Sequence, residues 1–289
     1  MLKAIRSQHR FLASRNAGKC TFSSFAPSNS GDSDFLKTLK NQSLWQTTPY
    51  INGEFLPPSS SNFDVINPAN GKVIASCTRQ SKGDVDIAIN AADDAFKSWK
   101  NTTAKQRAIF LNKLADLVDE NKDDLARILT YESGKPLAEA HGEIGYANSF
   151  LRLYSEEATR VHGEVLQPNV PGRRMMTIKQ PIGPAALITP WNFPSAMITR
   201  KLGPALAAGC TVVIKPAELT PLSALALCVL ASKAGIPNGV INCLTVGRDE
   251  VIDVGTTLCH STKIRKLSQS KDLHHRLVRV RVSCIKGYP

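Results

Sequence analysis

The sequence predicts an α/β fold built on a parallel sheet. Two short apolar runs, 185–188 and 211–214, have the length and composition of buried strands, and a helix-like segment of small and apolar residues lies between them. A second helical segment over 223–234 precedes a third strand-like run at 240–246. This alternation indicates right-handed crossover units, which bind ligands beyond the carboxyl ends of their strands.

The first part of the chain is predicted to contain short strands and then helices. Extended runs at 50–55 and 63–68, separated by two prolines and several serines, predict a small sheet. A first helix is predicted to begin at Gly83. Three further helices are predicted over 105–121, 123–133 and 137–160. In the second helix, the residues predicted to face the core are Ile109, Leu111, Leu114, Leu117 and Val118. We interpret the acidic residues of these helices as exposed faces and caps, not as a metal site.

Residues 161–179 change to an extended pattern around the turn Val170-Pro171-Gly172-Arg173, which predicts a hairpin. After the third strand of the α/β unit, a helix is predicted over 249–260, and a fourth strand is expected to begin at 263–266. From Leu267 onward the sequence has neither a helical face nor the pattern of a core strand, apart from a brief alternation of valine and arginine.

The formal net charge of +12 comes from the two ends of the chain. Residues 1–30 contain five basic and no acidic side chains, and residues 261–289 contain eight basic side chains and one acidic one, Asp272. The region between them is neutral overall, which argues against a nucleic acid partner. No apolar run approaches the roughly 18 to 20 residues that a membrane span needs, so no membrane association is expected.

The first 34 residues have the composition of a mitochondrial transit peptide, rich in arginine and serine and free of carboxylates before Asp32. A disordered basic arm is the alternative. The seven cysteines include no C-x-x-C pair, which argues against a zinc site and against a disulfide framework. A reduced compartment such as the mitochondrial matrix is expected, with Cys210, Cys228 and Cys243 buried in the core.

Polar residues stand where the predicted strands of the central unit end. Trp191 and Asn192 follow the first strand, and Lys215 and Glu218 follow the second. Because the carboxyl ends of neighbouring parallel strands lie at one edge, we expect these residues at a ligand site. The residues alone also allow simpler interpretations, in which Asn192 caps the next helix and Lys215 forms a surface pair with Glu218.

Three motifs resemble the aldehyde dehydrogenase superfamily: Ile188-Thr-Pro-Trp-Asn-Phe-Pro194, Lys215-Pro-Ala-Glu218 and Ala234-Gly-Ile-Pro-Asn-Gly-Val240. Within it, the runs 191–201 and Tyr131-Glu-Ser-Gly-Lys-Pro136 are similar to mitochondrial members that oxidise succinate semialdehyde to succinate with NAD. The similarity covers about 47–266, the first half of a full-length member. It implies an incomplete Rossmann-type parallel sheet, with an N-terminal helical region and an oligomerisation-type hairpin.

The resemblance also implies roles for single residues. Asn192 corresponds to the donor that stabilises the oxyanion formed when an aldehyde is attacked. Lys215 and Glu218 correspond to the pair that binds the adenosine ribose, an arrangement that favours NAD. The backbone wall beside the nicotinamide corresponds to Thr189, Pro190 and Trp191. Arg200 corresponds to the residue that binds the distal carboxylate of the substrate, although it could simply face solvent.

By resemblance the chain divides into five parts: a transit peptide (1–34), the N-terminal part of the NAD-binding domain (47–160), the hairpin (161–182), NAD-binding β/α units (183–266) and a basic tail (267–289). The expected partners are a small aldehyde and other subunits, either copies of this chain or full-length enzyme. An unstable fragment is the remaining alternative.

The chain departs from the family pattern after the fourth predicted strand. The glycine-rich phosphate turn is replaced by Leu267-Ser-Gln-Ser-Lys-Asp272, and neither the general-base glutamate in Glu-Leu-Gly-Gly nor the nucleophilic cysteine in Gly-Gln-x-Cys is present. Cys259 and Cys284 are not expected to replace that nucleophile. We therefore expect the chain to be inactive alone, and we attribute the tail to a changed reading frame or a retained intron near Leu267, with a functional basic arm as the alternative.

Overall fold

The computed structural model of the chain describes residues 33–269. The predicted transit peptide, apart from its last two residues, and the tail from residue 270 onward lie outside the described residues. Eight α-helices are described: α1 Ser33–Leu36, α2 Lys82–Trp99, α3 Ala104–Glu120, α4 Lys122–Ser133, α5 Leu137–Glu157, α6 Pro194–Ala207, α7 Leu222–Lys233 and α8 Val251–His260. Most of these bounds lie within one or two residues of the predicted ones.

Ten strands are described: β1 Tyr50–Ile51, β2 Glu54–Phe55, β3 Asn62–Ile66, β4 Val73–Thr78, β5 Val165–Leu166, β6 Met175–Met176, β7 Ala185–Ile188, β8 Val212–Lys215, β9 Ile241–Cys243 and β10 Lys266–Gln269. Six of them form the main sheet in the order β10-β7-β8-β9-β1-β2. The four strands from β10 to β9 are parallel, whereas β1 and β2 are antiparallel to their neighbours. The predicted parallel α/β sheet is therefore confirmed.

Helices cover both faces of this sheet because its strand residues are apolar on both sides. In β7, Ala185 and Leu187 belong to one core, which contains the apolar faces of α3 to α7, and Ala186 belongs to the other. The second core contains Val85 of α2 and Val254 of α8. Continuous apolar runs, without a polar face, are typical of such doubly covered parallel strands.

Side-chain caps fix where two of the long helices begin. Ser81 and Asp84 form a reciprocal capping box at α2, and Thr103 and Gln106 form another at α3. Each box satisfies backbone N–H groups that have no partner within the first helical turn. At the other end of this region, α4 stops at Gly134, whose φ of 73° is left-handed.

The predicted small sheet of residues 50–55 and 63–68 is wrong. β1 joins the main sheet by pairing with β9, whereas β3 pairs with β4, a strand that the pattern analysis did not predict. Long-range pairing with β9 decided this arrangement. In α3, Ile109 is 45% exposed and does not face the core as predicted, although Leu111, Leu114 and Val118 are buried.

The fourth parallel strand also differs from its prediction. β10 covers Lys266–Gln269 and pairs in parallel with β7, from Lys266 opposite Ala185 to Gln269 opposite Ile188. Leu267 and Ser268, which lack the pattern of a core strand, are therefore strand residues. Backbone hydrogen bonds to the β7 edge explain this result, because such bonds do not depend on the side chains.

The predicted hairpin is confirmed, since β5 and β6 pair antiparallel with Val165 opposite Met176. It exposes apolar side chains, of which Val165 is 84% and Met176 46% exposed. Within residues 33–269, no helix combines the length and the apolar character needed to cross a membrane. The same residues contain no cluster of three or more histidine, cysteine or acidic side chains suited to a metal ion.

Candidate active site

Three parallel strands end side by side at one edge of the main sheet. β7 ends at Ile188, which is paired with Lys215 at the end of β8 and with Gln269 at the end of β10. Thr189 extends the pairing by one residue, because its N–H donates to the Lys215 carbonyl at 3.1 Å. The structure thus brings the segments 189–192 and 215–218 to the same edge.

A cavity of about 330 Å³ opens at this edge, between the strand ends and α8. Its volume falls at the lower end of the range for small-molecule sites. Its walls are mainly apolar with a few polar groups, and they consist of Ile188, Lys215, Val251, Ile252, Gly255, Thr256, Cys259, His260 and Leu267.

Lys215 is the predicted cofactor residue that lines this cavity. It is only 4% exposed, and its Nζ donates to the Pro216 carbonyl at 3.2 Å. Burial lowers the pKa of the Lys215 ammonium, and the negative charge of Glu218 offsets part of that effect. An ammonium has three N–H donors, so two remain for ligand hydroxyl groups. Such a donor fits a ribose at this position, and the interpretation as a surface pair is wrong because Lys215 is buried.

The other predicted cofactor residues lie around the cavity without lining it. Thr189 is buried, and its Oγ1 has no hydrogen-bond partner among the described residues. Pro190 and Glu218 are half-buried, and Trp191 is 58% exposed. The Glu218 carboxylate is close enough to influence Lys215 electrostatically.

Asn192 does not cap the helix that follows it. The residue at the N-cap of α6 is Phe193, and no side chain of the N-cap residue closes the helix. Instead, Oε1 of Glu143 accepts hydrogen bonds from the N–H groups of Ser195 at 2.9 Å and Ala196 at 3.3 Å. The capping interpretation of Asn192 is therefore wrong. Its side chain is exposed, and its amide has no hydrogen-bond partner within residues 33–269.

Two residues that contact this segment were not predicted as site residues. Lys135 forms an ion pair with Glu143 and donates to the Asn192 carbonyl at 3.1 Å. Lys135 belongs to the motif 131–136, which offered a signal for it. Glu143 offered none, because a glutamate on an amphipathic helix is normally exposed.

Lys201 was also missed by the sequence analysis. Its Nζ donates to the Ile188 carbonyl at 2.8 Å and to the Ser268 carbonyl at 3.1 Å, so it joins the ends of β7 and β10. Burial, together with the neighbouring Arg200 charge, lowers the pKa of Lys201 to about 8. Arg200 itself is exposed on α6, and its role towards a substrate carboxylate stays a prediction.

The cysteines of the described region separate into two groups. Cys210, Cys228 and Cys243 are buried as predicted, and burial raises the pKa of the Cys210 thiol. Cys259 is exposed and lines the cavity, whereas Cys284 lies outside the described residues. The Cys259 thiol forms no hydrogen bond with any of the described residues, so no base is hydrogen-bonded to it.

The parallel sheet with helices on both faces, and the cavity at its strand ends, define an α/β protein of the dinucleotide-binding type. Residues 55–270 match the Aldehyde dehydrogenase family, and the chain belongs to that family.

Two curated relatives illustrate the similarity. The mitochondrial succinate-semialdehyde dehydrogenase of Hylobates lar is 51% identical over 225 residues, which are 78% of this chain and 42% of the relative. The glutarate-semialdehyde dehydrogenase of Pseudomonas putida is 50% identical over 231 residues, which are 80% of this chain and 48% of the relative. The chain thus spans about half the length of the curated relatives it matches.

A solved structure of an Escherichia coli NADP-dependent enzyme is similar to the described fold. Its TM-score is 0.77 at 48% sequence identity, and the match covers 79% of this chain and 47% of that one. The incomplete sheet is consistent with this coverage, because the neighbouring chain continues well beyond the matched part.

Proposed function

We propose that this chain provides the cofactor-binding and oxyanion-binding side of a semialdehyde dehydrogenase site. The observation that carries the proposal is the buried Lys215 ammonium, which has unused N–H donors at a largely apolar cavity beside the strand ends. The apolar walls suit the adenine ring of a nicotinamide dinucleotide, and the ammonium suits its ribose hydroxyls. The bound nicotinamide would accept the hydride that the aldehyde loses.

Asn192 is proposed to donate a hydrogen bond to the oxyanion formed on attack at the aldehyde carbon. Its exposed amide supports this role, because no hydrogen bond within residues 33–269 competes for it. A neutral donor fixed at the site stabilises charge that develops only in the transition state. Thr189, Pro190 and Trp191 are proposed to form the wall beside the nicotinamide.

The proposed substrate is succinate semialdehyde, with Arg200 binding its distal carboxylate. A guanidinium can donate two parallel hydrogen bonds to a carboxylate, which would separate this substrate from uncharged aldehydes. The exposed position of Arg200 on α6 leaves its donors available. The names of the two curated relatives, which specify semialdehydes of dicarboxylic acids, agree with this substrate class.

NAD is proposed as the cofactor in preference to NADP because of Glu218. A carboxylate beside the ribose accepts from a 2′-hydroxyl and repels a 2′-phosphate. The electrostatic influence of Glu218 on Lys215 supports its position next to the ribose-binding ammonium. The Escherichia coli neighbour is called NADP-dependent, and titration with both cofactors distinguishes the two preferences.

Isothermal titration of the 289-residue chain with NAD tests the proposal. We expect micromolar binding, and we expect Lys215→Ala to weaken it by roughly tenfold or more, since a hydrogen bond to a charged group contributes about 1.5–3 kcal/mol. Lys233→Ala is the matched control, because Lys233 is a partly buried lysine that donates to Ser43 on another side of the molecule. Titration with NADP should give weaker binding, and Glu218→Gln should reduce the difference.

Absence of NAD binding to the wild-type chain would contradict the proposal, as would equal affinities of Lys215→Ala and wild type. The chain alone is expected to show no turnover of succinate semialdehyde, because its sequence contains no Glu-Leu-Gly-Gly or Gly-Gln-x-Cys segment. If the wild-type chain turns over succinate semialdehyde faster than the Lys215→Ala control, the expectation of no activity is wrong.

A second candidate is a non-catalytic subunit that assembles with copies of itself or with full-length enzyme. The exposed apolar hairpin favours it, because Val165 is 84% exposed and large apolar surfaces commonly mark interfaces. We place either form in the mitochondrial matrix, on the basic composition of residues 1–34. A chain that is degraded rapidly in cells would instead be an unstable fragment.

A further inference from the structure

The segment Trp191–Phe193 carries the proposed oxyanion donor, and its three side chains are exposed. Trp191 is 58% and Phe193 40% exposed, and the Asn192 amide is exposed as well. A catalytic hydrogen-bond donor must be held in one position before the charge develops. Some group outside the segment must therefore restrain its backbone.

Lys135 supplies that restraint through three contacts of a single ammonium. Its Nζ donates to the Asn192 carbonyl at 3.1 Å and lies 3.9 Å from the centroid of the Phe193 ring. The third contact is the ion pair with Glu143, whose side chain is only 1% exposed. A cation over an aromatic ring is attracted by the negative face of the ring, and partial burial strengthens this attraction.

Glu143 connects this ammonium to the helix that follows the segment. One carboxylate oxygen accepts from Lys135, and the other accepts from the N–H groups of Ser195 and Ala196 in the first turn of α6. The carboxylate is also favourably placed for the positive end of the helix dipole. The backbone from Asn192 to Ala196 is thus attached to one buried ion pair.

The backbone of Lys135 is itself fixed. Gly134 before it adopts a left-handed φ of 73°, and a Cβ at this glycine would lie 2.7 Å from Cγ of Pro68. Pro136 after it occupies the N-cap of α5, with φ restricted by its ring. The Lys135 N–H also donates to Oγ of Ser133 at 3.3 Å. The ammonium therefore extends from a rigid turn between two helices.

We propose that Lys135 is a positioning residue that orients Asn192 for oxyanion binding, with Glu143 as its electrostatic partner. This inference rests on the proposed function, because it takes Asn192 as the oxyanion donor. Removal of the ammonium should release the segment 191–193 while leaving the sheet and both cores intact. Trp191 provides a local probe, since Trp45 and Trp99 are at most 1% exposed.

Acrylamide quenching of tryptophan emission in the full chain tests the proposal. Lys135→Met should raise the quenching constant by about twofold, because a loop that loses its buried contacts opens more often. Lys135→Arg should restore much of the wild-type value by keeping a cation over the Phe193 ring. Lys263→Met is the matched control, because Lys263 also contacts an asparagine oxygen and a carboxylate, Asn90 and Asp93, but at a distant surface.

Quenching measured well below the thermal unfolding midpoint of each variant separates a local change from global unfolding. A raised quenching constant at that temperature supports the proposal, also where Lys135→Met lowers the midpoint because Glu143 stays buried without its cation. An unchanged constant in Lys135→Met, or an equal rise in Lys263→Met, overturns it. If Lys135→Met does not fold, Phe193→Leu gives the answer, because it removes only the cation–π contact of a 40% exposed side chain and should raise the constant by a smaller factor.

The result is independent of cofactor binding, so the two proposals fail separately. Loss of NAD binding in the wild-type chain would contradict the proposed function and leave the quenching comparison valid. If NAD binds and Lys135→Met changes neither the quenching constant nor the response of Trp191 emission to NAD, the positioning role is wrong.

Discussion

Two buried glutamates, Glu132 and Glu143, serve the helices that start beside the strand ends. Glu132 is 2% exposed and accepts from the N–H groups of Leu222 at 2.7 Å and Ser223 at 3.0 Å. Glu143 does the same for α6 and has Lys135 as a cationic partner. Glu132 has no basic partner among the ion pairs of the described region, so burial raises its pKa to about 8 despite those hydrogen bonds.

Stability should therefore fall with rising pH in a window set by Glu132. An unfolded glutamate titrates near its ordinary value of 4.5, whereas folded Glu132 titrates near 8. Between these values the unfolded state releases its proton first, and the free energy of unfolding falls by up to about 1.4 kcal/mol per pH unit. We expect Glu132→Gln to flatten this dependence, as measured by urea unfolding between pH 5 and pH 8.

Glu120→Gln is the control for this measurement, because Glu120 is an exposed residue at the end of α3. Its pH dependence should equal that of the wild type. The opposite result is a free energy of unfolding that rises from pH 5 to pH 8 by the same amount in the wild type and in Glu132→Gln. It would show that Glu132 is ionised in the folded state.

At the scale of elements, α6 is stabilised at both ends by buried charges from other helices. Glu143 of α5 binds the N–H groups of its first turn. At the other end, Nε of Arg107 in α3 donates to the carbonyl of Ala207, the last residue of α6, at 2.8 Å. An anion at the N-terminus and a cation at the C-terminus both interact favourably with the helix dipole. These two contacts fix the position of α6, and Asn192 lies just before this helix.

Removal of the Arg107 charge, which lies at the C-terminal end of α6, should destabilise the fold. Arg107→Met is expected to lower the free energy of unfolding by roughly 1.5–3 kcal/mol, the usual contribution of a hydrogen bond to a charged group. Arg127→Met in α4 should change it by less than about 0.5 kcal/mol, because Arg127 is exposed. Urea unfolding measures both, and equal effects would show that the Ala207 contact is unimportant.

At the scale of the whole molecule, the hairpin of β5 and β6 projects apolar side chains into solvent. Val165 is 84% exposed, and Leu166, Met176 and Ile178 are each at least 37% exposed. A protein that exists only as a monomer rarely presents such a group of apolar side chains together. The hairpin is therefore the part of the described structure best suited to subunit association.

Self-association through the hairpin can be measured directly. We expect the wild-type chain to form oligomers in sedimentation velocity experiments, and we expect Val165→Glu to shift the distribution towards the monomer, since it places a charge in the apolar contact. Ile87→Glu, on the 55% exposed Ile87 of α2, should leave the distribution unchanged. A monomeric wild type at all concentrations would contradict this expectation.

The sequence predicted those elements whose cause is local. The β-branched and apolar runs of β7 and β8, the amphipathic faces of α2 and α3, and the turn of the hairpin follow from residue spacing and turn residues. It also placed Lys215 and Asn192 at strand ends, because the end of an apolar run marks the end of a buried strand. The family followed from motifs at those same positions.

Only the tertiary structure decided what depends on partners distant in the chain. β1 pairs with β9, and β10 continues through Ser268 to Gln269, because backbone hydrogen bonds to a neighbouring strand outweigh weak side-chain patterns. Glu132, Glu143 and Arg107 look like ordinary surface charges in the sequence, and they are buried against helix ends whose backbone groups lack partners within the helix. Strand pattern and chemistry at strand ends are local properties, whereas burial of a charge is decided by the groups that fold around it.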